Sequence, residues 1–176
     1  MSTVSLNARL PENGRGPHVL AGVPCEIVFN EIEERLVQLF DAEADELVAC
    51  VAWLKAQRLR DAMARAPRGT RVVVQSEKHL KPIENVDMRK VGVHARGARQ
   101  ASERSLMHHK FCVGLRDNVP QFVAVGSYNY TGHSRRNLES VVVLRDTDAA
   151  QRFYDEFQRV WALGRAVRHS RKRKRA

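Results

Sequence analysis

The chain of 176 residues predicts an α/β fold, a mixed β-sheet flanked by helices on both faces, and three observations predict it. Short apolar runs alternate with helix-period segments through the first half. Turn-bounded apolar runs follow one another in the second half, and a long amphipathic segment closes the domain.

The elements follow in order. Residues 1–22, with Pro11, Gly14, Gly16 and Pro17, read as a weakly ordered leader. Residues 25–29 are a first strand; Asn30 then offers a helix cap with Glu33 three residues on, and Ile32, Leu36 and Phe40 recur at helical spacing. The near-continuous apolar run 46–53 has the pattern of a buried central strand. Residues 54–66 read as a helix stopped by Pro67 and Gly69, 70–75 and 91–94 as strands, and 106–114 as the strand that bears the reactive groups. A long hairpin over 115–121 leads to strands at 121–125 and 138–144. The last helix spans about residues 147–164, with Phe153, Phe157, Val160 and Trp161 on its inner face. One domain over 23–164 and a disordered basic tail over 165–176 complete the organisation.

At 43% hydrophobic and 28% charged residues, the composition is that of a globular domain able to bury a substantial core. No window approaches the ~18 uninterrupted apolar residues of a membrane span, and the first twenty residues lack a signal-peptide core, so an intracellular, cytoplasmic protein is expected. Cys25, Cys50 and Cys112 are scattered through apolar runs without a Cys-x-x-Cys pair, which predicts reduced packing residues rather than a zinc site.

The formal charge of +10 is unevenly placed. Arg165, Arg168, Arg171, Lys172, Arg173, Lys174 and Arg175 supply seven of the ten, with no acid among them, and leave a body of only about +3. Such a block suits a polyanion. A second basic stretch, Arg89, Lys90, Arg96, Arg99 and Arg104, runs into the reactive strand and would line its approach with positive charge. Arg96, Arg99, Arg104 and the tail residues Arg171, Lys172, Arg173, Lys174 and Arg175 are therefore candidate substrate-binding groups.

The candidate site lies in Leu106-Met107-His108-His109-Lys110-Phe111-Cys112-Val113, followed by Gly126-Ser127-Tyr128-Asn129 and Asn137-Leu138-Glu139-Ser140. On an extended run His108 and Lys110 share one face, and His109 points to the other as packing or hydrogen-bonded support. The next strand ends beside them and brings Ser127 and Asn129. A base or nucleophile, a cation, a hydroxyl and an amide together suit a phosphate group. His18, His79, His94, His133 and His169 lack such neighbours and read as ordinary structural residues.

The run resembles the signature of the phospholipase D superfamily: His-x-Lys, an Asp five residues after the Lys, then Gly-Ser-x-Asn and a Glu about ten residues on. His108, Lys110, Ser127, Asn129 and Glu139 match it; Leu115 stands where the family has Asp, and the nearest acid is Asp117. The resemblance implies that this Asp mainly braces structure. It covers about residues 24–165 and implies one half of a two-copy fold, so that a single-copy chain forms a homodimer with a shared active site. It further implies attack on phosphorus by His108, protonation of the leaving oxygen by the partner histidine, oxyanion support from Lys110 and Asn129, and supporting roles for Ser127 and Glu139, the latter orienting the imidazole. No carboxylate cluster has metal-ligand spacing, and no metal or other cofactor is expected.

Three functional readings remain open from the sequence. The basic segments favour a nuclease-like phosphodiesterase acting on DNA or RNA. A phospholipase D or cardiolipin-type lipid phosphodiesterase is the alternative, since an anionic phospholipid surface would also attract the tail, although Trp53 and Trp161 both read as core residues. A non-catalytic nucleic-acid-binding module is the third.

Overall fold

The computed structural model describes residues 18–20, 22–75, 93–98 and 106–166. Among these residues nine strands form one mixed sheet: β1 (His18–Leu20), β2 (Val23–Val28), β3 (Glu46–Val51), β4 (Thr70–Gln75), β5 (Val93–Ala98), β6 (Lys110–Arg116), β7 (Val119–Gly126), β8 (Val141–Leu144) and β9 (Arg165–Ala166). Their order across the sheet is β1-β2-β8-β7-β6-β3-β4-β5-β9. Strands β3, β4 and β5 run parallel, and the other neighbours pair antiparallel.

Helices α1 (Ile32–Glu43) and α2 (Gln57–Ala64) cover one face and α3 (Thr147–Leu163) the other. Strand alternation explains the two cores. Leu47, Ala49 and Val51 of β3 with Cys112 of β6 and Phe122 and Ala124 of β7 face α1 and α2, where Leu36, Leu39, Phe40, Leu59 and Met63 meet them. Val48, Cys50, Phe111, Val113, Leu115 and Val123 face Ala150, Phe157 and Val160 of α3. The mixed sheet with helices on both faces is thus the architecture expected, and Phe157 and Val160 are buried as the helical period required.

Local chemistry moves several boundaries. Asn30 does not cap α1: Glu31 precedes it in the left-handed region at φ 51°, and no side chain caps the end. Glu31 O instead accepts from Arg35 N at 3.0 Å, and Glu33 and Glu34 in the first turn meet the positive end of the helix. The β6–β7 connection is a tight two-residue turn, not a long hairpin, because Asp117 and Asn118 both adopt positive φ (53° and 65°). Strand β1 falls inside the segment read as a leader, and β9 pairs the first two residues of the basic tail with β5.

Cys25, Cys50 and Cys112 are free thiols, all buried. No helix among the described residues is long and apolar enough to cross a membrane.

Candidate active site

The strand ends collect the reactive groups. Phe111 lies opposite Val125 and Cys50, Val51 pairs with Lys110, and Gly126 pairs with Val141, so the start of β6, the ends of β3 and β7 and the start of β8 meet at one end of the sheet. The paired strand begins at Lys110, later than residue 106, and His108 precedes it. The segment is nonetheless held in line: Ala52 N donates to His109 O at 3.0 Å, Gln75 N to Ala52 O at 3.1 Å, and Met107 N to Gln75 Oε1 at 2.6 Å. The expected division of faces results. His108 and Lys110 come together, while His109 turns to α3 and pairs its Nε2 with Glu156 Oε1 at 3.0 Å.

Lys110 Nζ lies 3.2 Å from His108 Nδ1 and 3.3 Å from Nε2, and donates to the His108 carbonyl at 3.0 Å. Burial, then the charge of Lys110, then that of His109, holds the His108 imidazole below its ordinary pKa. A neutral ring with an available lone pair is the consequence at neutral pH. Burial also lowers the Lys110 ammonium, against an opposing pull from Glu139. Trp53 completes this corner: its indole meets the His108 ring edge to face, 5.7 Å between centroids at 82°. Trp53 is only half-buried and lies against His108, which corrects its reading as a core residue.

The loop after β7 carries Ser127 and Asn129. Gly126 is required there by contact, since a Cβ would sit 1.9 Å from Ser140 O. Ser127 N donates to Ser140 O at 3.0 Å and Ser127 Oγ accepts from Ser140 N at 3.1 Å, so this serine fastens two loops together. Asn129 sits between two buried tyrosines, with its Oδ1 buried and unpaired among the described residues. Tyr130 O accepts from Lys55 N at 2.6 Å and Ala56 N at 2.8 Å, and Tyr130 pairs with Leu54 as an isolated bridge. Residues 54–56 are committed to this contact, which is why α2 begins only at Gln57 instead of 54. Glu139 accepts from Asn137 Nδ2 at 3.2 Å and acts electrostatically on Lys110, in place of the bond to the imidazole that the resemblance implied.

Other expected groups lie elsewhere. Arg96 stacks on Trp161, 4.3 Å from the ring centroid, and donates to the Trp161 carbonyl at 2.9 Å. Its guanidinium secures the end of α3 and is not presented to the His108 corner. Arg99, Arg104, Arg171, Lys172, Arg173, Lys174 and Arg175 lie outside the described residues. Leu115 is 1% exposed within the α3-side core, so the family's Asp position is here an apolar packing position. Among the described residues no three His, Cys, Asp or Glu side chains cluster closely enough to hold a metal ion.

Known proteins share this fold. The mitochondrial cardiolipin hydrolase of Mus musculus is 28% identical over 148 residues, 80% of this chain. The chain spans 63% of that relative's length. Among solved structures, the phospholipase D family member Nuc from Salmonella typhimurium aligns with a TM-score of 0.64 at 20% identity, covering 82% of this chain and 99% of that one. NucT from Helicobacter pylori aligns with a TM-score of 0.61 at 12% identity, over 82% and 99%. The family model described as "Cardiolipin synthase, PLD-like domain" matches residues 21–161, and the chain belongs to the phospholipase D superfamily.

Proposed function

We propose that the protein is a nuclease-like phosphodiesterase that hydrolyses DNA or RNA through a phosphohistidine at His108, in a site completed by a second copy of the chain. The observation that carries this reading is the Lys110 ammonium beside both ring nitrogens of a His108 held neutral. The ring lone pair attacks phosphorus and forms a P–N bond as the P–O bond to the leaving group breaks. The His108 of the second copy, which takes up a proton as the anionic phosphodiester binds between the two chains, gives that proton to the departing oxygen. That histidine, now neutral, takes a proton from water; the hydroxide attacks phosphorus and the P–N bond breaks. Lys110 and Asn129 hold the non-bridging oxygens as charge builds.

One histidine cannot be nucleophile and general acid in the same step, and each chain brings one His-x-Lys set. Three exposed apolar residues support association at this end of the sheet: Phe29 after β2 (57% exposed), Leu106 just before the His108 segment (51%) and Leu138 before β8 (88%). Burying them against a copy of the same surface fits a two-fold interface. The nucleic-acid preference rests on the basic tail and on the basic stretch that precedes the reactive strand.

The name of the mouse relative and the exposure of Leu138 beside Glu139 favour a second reading, hydrolysis of an anionic phospholipid. One assay separates the two: plasmid or single-stranded DNA and cardiolipin vesicles are offered side by side in excess EDTA to wild type and His108→Ala. Nucleic-acid cleavage lost in the variant is the expected result. Cleavage of the lipid alone selects the second reading, and activity that strictly requires added metal sinks both.

A further inference from the structure

Glu33 is a buried carboxylate with no part in the chemistry above. Its side chain is fully buried in the first turn of α1, and neither oxygen has a hydrogen-bond partner among the described residues. Arg135 Nε approaches one oxygen at 3.3 Å and Arg58 Nε the other at 4.0 Å. Arg135 belongs to the same loop as Asn129, in the short turn Ser134–Arg136. The phenol of Tyr128, the residue before Asn129, is likewise buried without a full hydrogen bond, and burial followed by the Glu33 charge pushes it upward, so that it stays a neutral hydroxyl.

A charge removed from water is costly unless something answers it, and here the nearer guanidinium, Arg135, is on the loop that carries Asn129, while the more distant Arg58 stands on α2. Tyr128 and Arg135 bracket the segment, and Tyr130 anchors its middle to residues 55 and 56. Asn129 has buried neighbours on either side and turns its Oδ1 inward, which leaves its amide nitrogen as the donor to a phosphate.

Building on the phosphodiesterase reading, we propose that Glu33 is a positioning residue: through Arg135 and the Tyr128 hydroxyl it sets the loop height at which Asn129 meets the phosphate. Glu33 and Asn129 then act as one unit, and removal of either forfeits the same interaction.

The test is a double-mutant cycle. Wild type, Glu33→Gln, Asn129→Ala and the double variant are assayed with bis(p-nitrophenyl) phosphate in EDTA, well below their melting temperatures, together with inorganic phosphate affinity by calorimetry. Glu33→Gln is expected to lower kcat about 10- to 100-fold with little change in KM, the scale of a misplacement of about 1 Å. The Asn129→Ala background should show less than about a twofold further loss. Should Glu33→Gln fail to fold, Tyr128→Phe takes its place in the cycle, with a smaller loss that again vanishes without Asn129. Equal fold-losses in both backgrounds overturn the proposal, as does an unchanged kcat in the single variant. If the wild type hydrolyses no diester, the phosphodiesterase reading fails by itself. Phosphate affinity then decides the positioning role: weakening by Glu33→Gln only when Asn129 is present supports it, and no such dependence, or no phosphate binding, refutes it.

Discussion

Restoring the family's acid, Leu115→Asp, should unfold this protein rather than improve it. Leu115 is 1% exposed and packs with Val48, Phe111, Val113 and Val123 beneath α3. Truncation to Ala at such a site costs about 2–5 kcal/mol, from lost transfer energy and the cavity left behind. An Asp there loses the same packing and adds a carboxyl in apolar surroundings. If burial raises its pKa by about 3 units, at about 1.4 kcal/mol per unit, the further cost near pH 7 is about 4 kcal/mol. The total, about 6–9 kcal/mol, matches the whole stability of a typical domain, about 5–15 kcal/mol. The pH dependence identifies the cause. The folded state keeps a proton that the unfolded chain releases above about pH 3.9, so stability falls as pH rises from there to the raised folded value. Urea titrations of Leu115→Ala and Leu115→Asp, followed by tryptophan fluorescence between pH 4.5 and 8, should show the gap between the variants widening with pH. An Asp variant within about 1 kcal/mol of wild type at pH 7, or a gap independent of pH, refutes the argument.

Gly126→Ala should cost about 1–3 kcal/mol in thermal or urea denaturation, because its Cβ would meet Ser140 O at 1.9 Å, and should lower activity as the Ser127 and Glu139 loops part. The His108 ring should titrate below its ordinary value of about 6.5 in NMR, and Lys110→Gln should move it upward by removing a neighbouring charge. Because that pKa is depressed in the folded state, stability is present above about pH 6.5 and declines as pH falls through the folded value. Removal of residues 168–176, which leaves β9 in place, should weaken DNA binding and flatten its salt dependence by about 0.9 logarithmic units for each phosphate the tail no longer neutralises. An unchanged slope makes the tail a bystander.

Much of the molecule is legible from local pattern because local pattern governs it. The period-two rule separates His109 from His108 and Lys110 even ahead of the paired strand, since Ala52 N and Gln75 Oε1 keep residues 107–109 extended. Buried runs such as Glu46–Val51 and Thr70–Gln75 announce central strands by their apolar, β-branched composition. What escaped depends on distant partners. Residues 54–56 carry helix-compatible side chains, yet the Tyr130 carbonyl takes two of their amides and delays α2. Trp53 is apolar in sequence yet only half-buried in space, with its indole against His108. Arg96 is basic in sequence and structural in space, since Trp161 stacks on it. The Asp117-Asn118 turn was the exception: two residues that tolerate positive φ, between apolar strands, carried their signal locally.

Cys50 and Cys112 lie on neighbouring rungs of the sheet, for Cys50 faces Phe111 and Cys112 faces Ala49. Their side chains project to opposite faces, one toward α3 and the other toward α1 and α2, so the two sulfurs cannot meet to form a disulfide in the folded chain. Burial also raises both thiols far above the range in which thiolate forms. Alkylating reagents therefore find them silent until the sheet opens, and the rate at which these cysteines become labelled counts excursions from the native state without any added probe.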